Sequence, residues 1–289
     1  MLLSSAKVPF TKEGWAHEPK LDGMRIIAVA NSHHVRLFSR SGRDVTHIFP
    51  DVCAELKTIG SAVVLDGELI ATDSNGRPDF DSLQQRWMLN RENDIRQSEV
   101  IAPTAFYAFD LLGLNSESLV KRPYQFRKEL LYSSVAVGER LKVIRSFHDG
   151  ARLFKTTGEQ GLEGIVAKRL NSLYLPGTRS KDWVKIKHKQ QSIVVLLAWN
   201  RDEGYLLGEL RGGELTAVGF SKYGLTAMQS DRVTSLLKPG PALFDYRTNS
   251  LQWFKPTVWM NVEFMARTKT GALRFPVFKG IAGCALASD

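Results

Sequence analysis

The sequence predicts a two-domain chain of mixed α and β structure whose second part is mostly β, and three observations carry that prediction. At 289 residues the chain is long for one compact domain and short for three. Apolar segments alternate with turn clusters from end to end, without an internal repeat or low-complexity tract, as in a folded α/β or α+β protein. After Lys189 the texture changes to a Val- and Leu-rich run and then to strand-like pieces punctuated by Gly. The expected domains are therefore 1–189 and 190–289.

In the first domain, alternating or apolar runs predict strands over residues 24–29, 35–38, 63–70, 105–112, 164–168 and 183–187. Helices are expected between them at 49–59, 80–89, 125–135 and 149–158, the last opened by Asp149, a residue suited to capping exposed amides. In the second domain, strands are expected at 193–198, 205–210, 214–220 and 258–266. One helix at 226–237 ends before Lys238-Pro239-Gly240-Pro241. This pattern suits a small barrel of the OB type, and periodicity alone does not separate it from an SH3-like barrel.

Composition narrows the class of partner. Lys and Arg total 39 against 30 Asp and Glu, a net charge of +9 that favours a polyanion such as nucleic acid. Two cysteines far apart, Cys53 and Cys284, give neither a disulfide framework nor a thiolate cluster. The chain opens without a charged start and long apolar run, and no stretch approaches the roughly twenty residues of a membrane span. The expected setting is cytoplasmic, at the nucleoid if the source is bacterial, with no membrane partner.

The chemically informative stretch is Glu18-Pro19-Lys20-Leu21-Asp22-Gly23-Met24-Arg25. Alone, Lys-x-Asp-Gly reads as a surface lysine before a turn. Further segments pair strands with same-face charges. In Trp183-Val184-Lys185-Ile186-Lys187 the two-residue period puts both lysines on one face. In Val64-Leu65-Asp66-Gly67-Glu68-Leu69-Ile70 it puts Asp66 with Glu68, opposite Leu65 and Leu69. Glu163 opens another strand, and Phe106-Tyr107-Ala108-Phe109-Asp110 sets aromatic rings beside an acid. Solvated outer faces of antiparallel strands are the bland explanation of any one of these. No Gly-Lys dipeptide occurs, which excludes a P-loop cradle, and the six histidines show no metal spacing; His33 and His34 fit a hairpin turn.

Taken in order, Lys20-Leu21-Asp22-Gly23, Ser39-Arg40-Ser41-Gly42, Leu65-Asp66-Gly67-Glu68, Phe109-Asp110-Leu111-Leu112, Glu163-Gly164-Ile165-Val166-Ala167-Lys168 and Trp183-Val184-Lys185-Ile186-Lys187 resemble the motifs of ATP-dependent DNA ligases. The resemblance runs from about residue 14 to about 280, and the layout looks closest to the compact ligase units of bacterial end joining. It implies an α+β fold, a nucleotidyltransferase (adenylation) domain with antiparallel sheets followed by a mostly β OB-fold domain. It also implies no additional DNA-encircling domain at the N-terminus.

The resemblance further implies that Lys20 attacks the α-phosphorus of ATP to form lysyl-AMP. Neighbouring cations, Arg25, Lys185 and Lys187, would favour its neutral amine while gripping phosphate. It places Glu18 at the adenine amino group, Arg25 and Glu68 on the ribose side, and Phe109 against the base. Glu68 and Glu163 would hold Mg²⁺, or Mn²⁺ in its place, with Asp66 as a further candidate. Lys185 and Lys187 would steady the α-phosphate, and Arg40 would recognise the 5′-phosphate at a break. The implied partner is nicked or broken duplex DNA, with a Ku-like end-binding protein by analogy, and the chain is expected to be a monomer. In the second domain Lys222, Arg247, Lys255, Arg267, Lys269, Arg274 and Lys279, among Trp253, Phe254, Phe264 and Phe275, could track a phosphate backbone.

The resemblance weakens at the C-terminus. Many DNA ligases close on a basic R-x-D-K element, whereas here Leu273-Arg274-Phe275-Pro276-Val277-Phe278-Lys279 is followed by residues 282–289 without Arg or Lys. Two explanations compete: Arg274 and Lys279 take that role, which is the preferred reading, or the first step is intrinsically slow and the protein arrives pre-adenylylated. An RNA ligase or capping-type nucleotidyltransferase shares the Lys-x-Asp-Gly and lysine strands, and a nucleic-acid-binding module that has lost catalysis would share the fold.

Overall fold

The computed structural model describes residues 1–284 except 74, 75, 77, 246–250 and 269. Arg247, Lys269 and residues 285–289 therefore lie outside the described residues. The chain forms two compact units, Met1–Lys187 and His188–Asp289. In chain order the first contains β1 (Leu2–Ser5), β2 (Trp15–Lys20), β3 (Met24–Ala30), β4 (Val35–Ser39), α1 (Pro50–Leu56), β5 (Val63–Ala71), α2 (Phe80–Trp87), α3 (Glu92–Ile101), β6 (Thr104–Leu114), β7 (Glu117–Ser118), α4 (Tyr124–Ser134), β8 (Leu141–Val143), α5 (Gly150–Glu159), β9 (Gly164–Arg169) and β10 (Arg179–Lys187).

These strands build two sheets. One has the order β4-β3-β5-β6-β7 with β8 parallel to β6, and the other the order β1-β10-β9-β2, antiparallel except for the β1–β10 pair. On the first sheet Ile26, Ala28, Leu37, Leu65, Leu69, Phe106 and Ala108 point inward and pack with Ile48, Phe49 and Leu56 at α1. The alternation then places Arg25 and Asp66 on the opposite face, as the two-residue period requires. On the second sheet Val184 and Ile186 join Trp15, Leu153, Ile165 and Ala167 in an apolar cluster, which leaves Lys185 and Lys187 on the other face.

The predicted strands of this unit lie at or within the observed ones, and the strand expected at 183–187 begins four residues earlier, at Arg179. Asp149 caps α5 as expected, accepting from the Arg152 amide at 3.0 Å. The helix expected over 49–59 starts at Pro50 and passes into a 3₁₀ turn at Lys57–Ile59 before Gly60. His33 and His34 sit in the β3–β4 turn, where both amides donate to Asn31 Oδ1. The residue pattern does not predict β1, β2, β7, β8 or α3.

The second unit contains β11 (Gln190–Asn200), β12 (Gly204–Arg211), β13 (Glu214–Ser221), α6 (Ala227–Leu236), β14 (Gln252–Trp253), β15 (Val258–Phe264), β16 (Ala266–Arg267), β17 (Leu273–Arg274) and β18 (Val277–Cys284). Its antiparallel sheet has the order β13-β12-β11-β15-β18. Thr226 and Gln229 form a reciprocal capping box at the start of α6, which satisfies amides that would otherwise lack partners. Val194, Leu196, Leu207, Met260, Val262 and Phe278 fill the core. Among the expected nucleic-acid-facing cations, Lys279 pairs with Glu263 at 3.4 Å, and the Arg274 guanidinium lies 6.0 Å from the Phe275 ring centre.

Arg267 is committed inside this unit: both its terminal nitrogens contact Glu209 at 2.8 Å, joined by Ser192 at 2.6 Å and Arg211 at 3.2 Å. Burial alone would raise the Glu209 carboxyl, but these bonds outweigh it and hold it at about 2. A depressed carboxyl contributes stability that is present above its ordinary 4.5 and is lost as pH falls toward 2. Thermal melts of wild type and Glu209→Gln between pH 5 and pH 3 should therefore converge as pH falls. Parallel curves would show that this cluster does not set acid stability.

Candidate active site

The motif lysine stands at the end of β2, an edge strand whose register on β9 pairs Glu18 with Val166 and Lys20 with Gly164. Two glycines let the backbones approach here. A Cβ on Gly23 would lie 2.1 Å from the Leu69 carbonyl oxygen. Gly164 has φ +145, and a Cβ there would lie 2.1 Å from that of Ile186. Any side chain at either position would push β3 from β5 or β9 from β10.

A cleft between the sheets gathers residues from seven strands: Leu3 from β1, Glu18 and Lys20 from β2, Arg25 from β3, Glu68 from β5, Phe109 from β6, Lys168 from β9 and Trp183 from β10. Phe109 reaches it through an irregularity in β6. Asp66 pairs with Asp110 but Gly67 pairs with Ala108, so Phe109 is the extra residue of a bulge. Beyond it Leu111, not Asp110, continues the core face of Phe106 and Ala108.

The cleft is charged at both ends. Lys20 Nζ lies 2.6 Å from Glu163 Oε2, and Lys187 Nζ lies 2.5 Å from Glu163 Oε1, so one carboxylate bridges two motif lysines. Lys185 falls below its ordinary value, first through burial and then through the charges of Lys187 and Lys20. Arg25 is bidentate to Asp66 at 2.9 and 2.6 Å, and Tyr174 donates to the same carboxylate at 2.8 Å. Burial works against the Arg25 charge, but the Asp66 bond and charge hold it above its ordinary range. Its guanidinium lies 5.5 Å from the Phe109 ring centre.

Glu18 is buried at the opposite end, its Oε1 accepting from Tyr124 at 2.6 Å and Ser146 at 3.2 Å. Arg40 lies outside the cleft lining, on the exposed turn after β4.

Comparison with known proteins decides the family. Residues 3–187 match the ATP dependent DNA ligase domain, and residues 201–282 match the ATP dependent DNA ligase C terminal region. The chain belongs to the ATP-dependent DNA ligases. It is 34% identical over 289 aligned residues to the multifunctional non-homologous end joining DNA repair protein LigD of Mycobacterium tuberculosis, covering 92% of this chain and 36% of that protein. The chain thus spans about a third of the length of that relative. It is 29% identical to the SPbeta prophage-derived DNA ligase-like protein LigB of Bacillus subtilis, covering 96% of this chain and 97% of that one.

A solved structure of mycobacterial DNA ligase D complexed with ATP and MES is 31% identical, covers 98% of this chain and 94% of that one, and superposes with a TM-score of 0.59. A Lig E DNA ligase at 17% identity, covering 97% of this chain and 99% of that one, shares the fold with a TM-score of 0.63. The fold is accordingly α+β, a nucleotidyltransferase domain followed by an OB-fold domain, which removes the SH3-like alternative.

In this ligase the donor set suits a hard divalent cation. Glu68 has no ion pair within 4 Å among the described residues. Burial raises its carboxyl to about 7 despite the opposing charges of Lys20 and Arg25. A buried carboxylate so disfavoured gains from a cation, and Mg²⁺ uses one or two carboxylates with substrate phosphates. Among the described residues no group of three acidic, His or Cys side chains is placed to hold a metal ion. Asp66 is occupied by Arg25 and Tyr174, and Glu163 by Lys20 and Lys187, so a cation at Glu163 would have to displace a lysine and one at Asp66 the Arg25 guanidinium.

Three further residues act on Glu18: Lys168 and Lys128, which pair with it, and Tyr124, which donates to it. A signal for Lys168 existed. It shares the strand face of Val166, and both line the cleft, as the period-2 argument applied to Lys185 and Lys187 could have shown. Lys128 and Tyr124 lie on α4, outside any motif, and only the fold brings them in.

Proposed function

We propose that this chain seals DNA breaks carrying a 3′-hydroxyl and a 5′-phosphate through lysyl-AMP and DNA-adenylate intermediates, in repair by end joining. The observation that carries the reading is the placement of Lys20. Its amine sits in a cleft with Glu18 and Phe109 at one end and the Glu163–Lys187 pair at the other. In the proposed first step Lys20 leaves Glu163, gives its ammonium proton to solvent and attacks the α-phosphorus of ATP as the neutral amine. An N–P bond forms and the P–O bond to pyrophosphate breaks, with the electron pair departing on pyrophosphate.

Phe109 covers the base, Glu18 accepts from its 6-amino group, and Arg25 and Glu68 bound the ribose. Lys185 and Lys187 steady the α-phosphate, since positioning and electrostatics dominate phosphoryl transfer. Mg²⁺, or Mn²⁺, held by Glu68 and Glu163 would neutralise phosphate charge. A 5′-phosphate oxygen at the break, recognised by Arg40, then displaces Lys20 from AMP, and the 3′-hydroxyl attacks the 5′-phosphorus to expel AMP.

The nucleotidyltransferase domain is assigned to 1–189 and the OB-fold domain to 190–289. Likeness to an end-joining relative motivates the wider setting: a cytoplasmic, nucleoid-associated monomer working with a Ku-like end-binding protein.

Incubation with Mg²⁺ and a labelled nicked duplex should give sealing with ATP and not with GTP or NAD⁺, and far less on nicked RNA. Preference for the RNA nick would favour the RNA-ligase reading, and adenylylation without sealing on any strand would end the ligase reading. DNA binding should weaken steeply with salt, because a chain that neutralises several phosphates releases their counterions. A flat salt response would remove backbone recognition from the account.

A further inference from the structure

At the base end of the cleft two buried lysines that the reaction above leaves unused converge on Glu18. Lys168 Nζ lies 2.6 Å from Glu18 Oε2, and Lys128 Nζ lies 2.6 Å from Glu18 Oε1, with side chains 2% and 5% exposed. Both ammonium groups also donate to one backbone carbonyl, that of Phe109, at 3.3 and 3.4 Å. The rings of Trp183, Phe109 and Tyr124 enclose Lys168 Nζ, with centres at 4.2, 4.6 and 5.0 Å. Two buried cations on one carboxylate are an expensive way to stabilise a fold, since apolar side chains of similar volume would serve as well. Their arrangement has a second property: it ties the residue assigned to the base edge to the residue assigned to the base face.

We propose that Lys168, backed by Lys128, is a positioning residue that sets nucleotide specificity, fixing the ionised Glu18 carboxylate relative to Phe109 so that the cleft accepts a purine 6-amino group and rejects a 6-oxo group. This rests on the assignment of Glu18 and Phe109 to the base. An ionised carboxylate only accepts hydrogen bonds; the 6-amino group of adenine donates, and the 6-oxo group of guanine accepts. Two acceptors facing each other in a buried site have no proton to share, which is a large penalty.

Glu18 Oε1 is already filled by Tyr124, Ser146 and Lys128, so the accepting capacity left for a ligand is on Oε2, the oxygen that Lys168 holds. Lys168 also lines the cleft itself. Burial alone would raise the Glu18 carboxyl; the charges of Lys128 and Lys168, with the bonds from them, hold it at about 2, so it stays an acceptor at neutral pH.

The test uses the full chain, with adenylylation from α-labelled ATP or GTP over a range of concentrations and, separately, sealing of a pre-adenylylated nick. Lys168→Met should raise KM for ATP about ten- to a hundredfold and shrink the ATP-over-GTP preference by a similar factor, the loss expected for a charged hydrogen bond. Its kcat for adenylylation and its sealing of the pre-adenylylated nick should change less than about threefold. Lys168→Arg, which keeps a cation, should retain most of the preference.

An unaltered ATP-over-GTP preference in Lys168→Met would overturn the proposal, and so would an equal fall in both steps. If Lys168→Met does not fold, as a thermal melt will reveal, Lys128→Met carries the same expectation and the same refutation, since its ammonium meets Glu18 from outside the cleft lining. Glu18→Gln separates the two levels. If Glu18→Gln keeps the full preference, the base assignment itself falls; if it loses the preference while Lys168→Met keeps it, only the role of Lys168 falls.

Discussion

Lys20→Ala is expected to form no lysyl-AMP, a loss of at least about 10⁴-fold in the first step, because removal of a covalent nucleophile cannot be compensated by the binding groups around it. Three of the neighbouring amines already have a carboxylate partner. Lys168 and Lys128 contact Glu18, and Lys187 contacts Glu163. The substitution should leave the fold intact. Lys20 lies at a strand end with its side chain 18% exposed, and Glu163 keeps Lys187 as its partner when Lys20 is gone. The same variant should still seal a nick supplied with a ready-made 5′-adenylate, since that step asks Lys185 and Lys187 to hold phosphate and asks nothing of the nucleophile. Labelling with α-³²P ATP followed by gel analysis reads the first step. Normal labelling of Lys20→Ala would move the nucleophile to another residue, and failure on the pre-adenylylated nick as well would give Lys20 a role beyond carrying AMP.

Much of this arrangement was legible from the chain, and the parts that were not share physical reasons. Strands with inward apolar residues at period two, such as β5 and β10, announced both their core face and their charged face, so Asp66, Lys185 and Lys187 could be oriented before any coordinate. β2 gave no such signal. Its sequence Trp15-Ala16-His17-Glu18-Pro19-Lys20 holds a proline and two charges and no β-branched residue, and it is a strand only because it lies at a sheet edge, where a missing amide is tolerated. α3 buries only Ile95 among its three apolar residues and begins without a capping side chain, so pattern and boundary were both silent. The bulge at Phe109 shifts the alternation in mid-strand, which no fixed period anticipates. Glu163 was read as a metal ligand from its position in a motif, but its bridge between Lys20 and Lys187 is a tertiary fact, as is the capture of Asp66 by Arg25.

That last pair carries the second large effect. Asp66→Ala should destabilise the first unit by about 3–5 kcal/mol, the cost typical of removing one partner from a buried ion pair. The carboxylate is fully buried and the Arg25 side chain only 20% exposed, so solvent can take over little of the lost interaction. Tyr174 would lose its acceptor as well, leaving a buried phenol to find another partner. At roughly 2–4 °C per kcal/mol for a unit of this size, the melting temperature should fall by about 10 °C. Function should suffer independently of folding. Without Asp66 the Arg25 guanidinium is free to leave the Phe109 ring and swing toward Glu68, so KM for ATP should rise even at temperatures where the variant is fully folded. Asp66→Asn keeps the shape but not the charge and should fall between wild type and Asp66→Ala in both readouts. Glu92→Ala, which breaks an exposed pair on α3 with Arg96, is the control and should shift the melt far less. A melting temperature for Asp66→Ala within a degree or two of wild type would show that Arg25 is held by its contacts with Met1 and Phe109 instead, and that Asp66 is free for another role in the cleft.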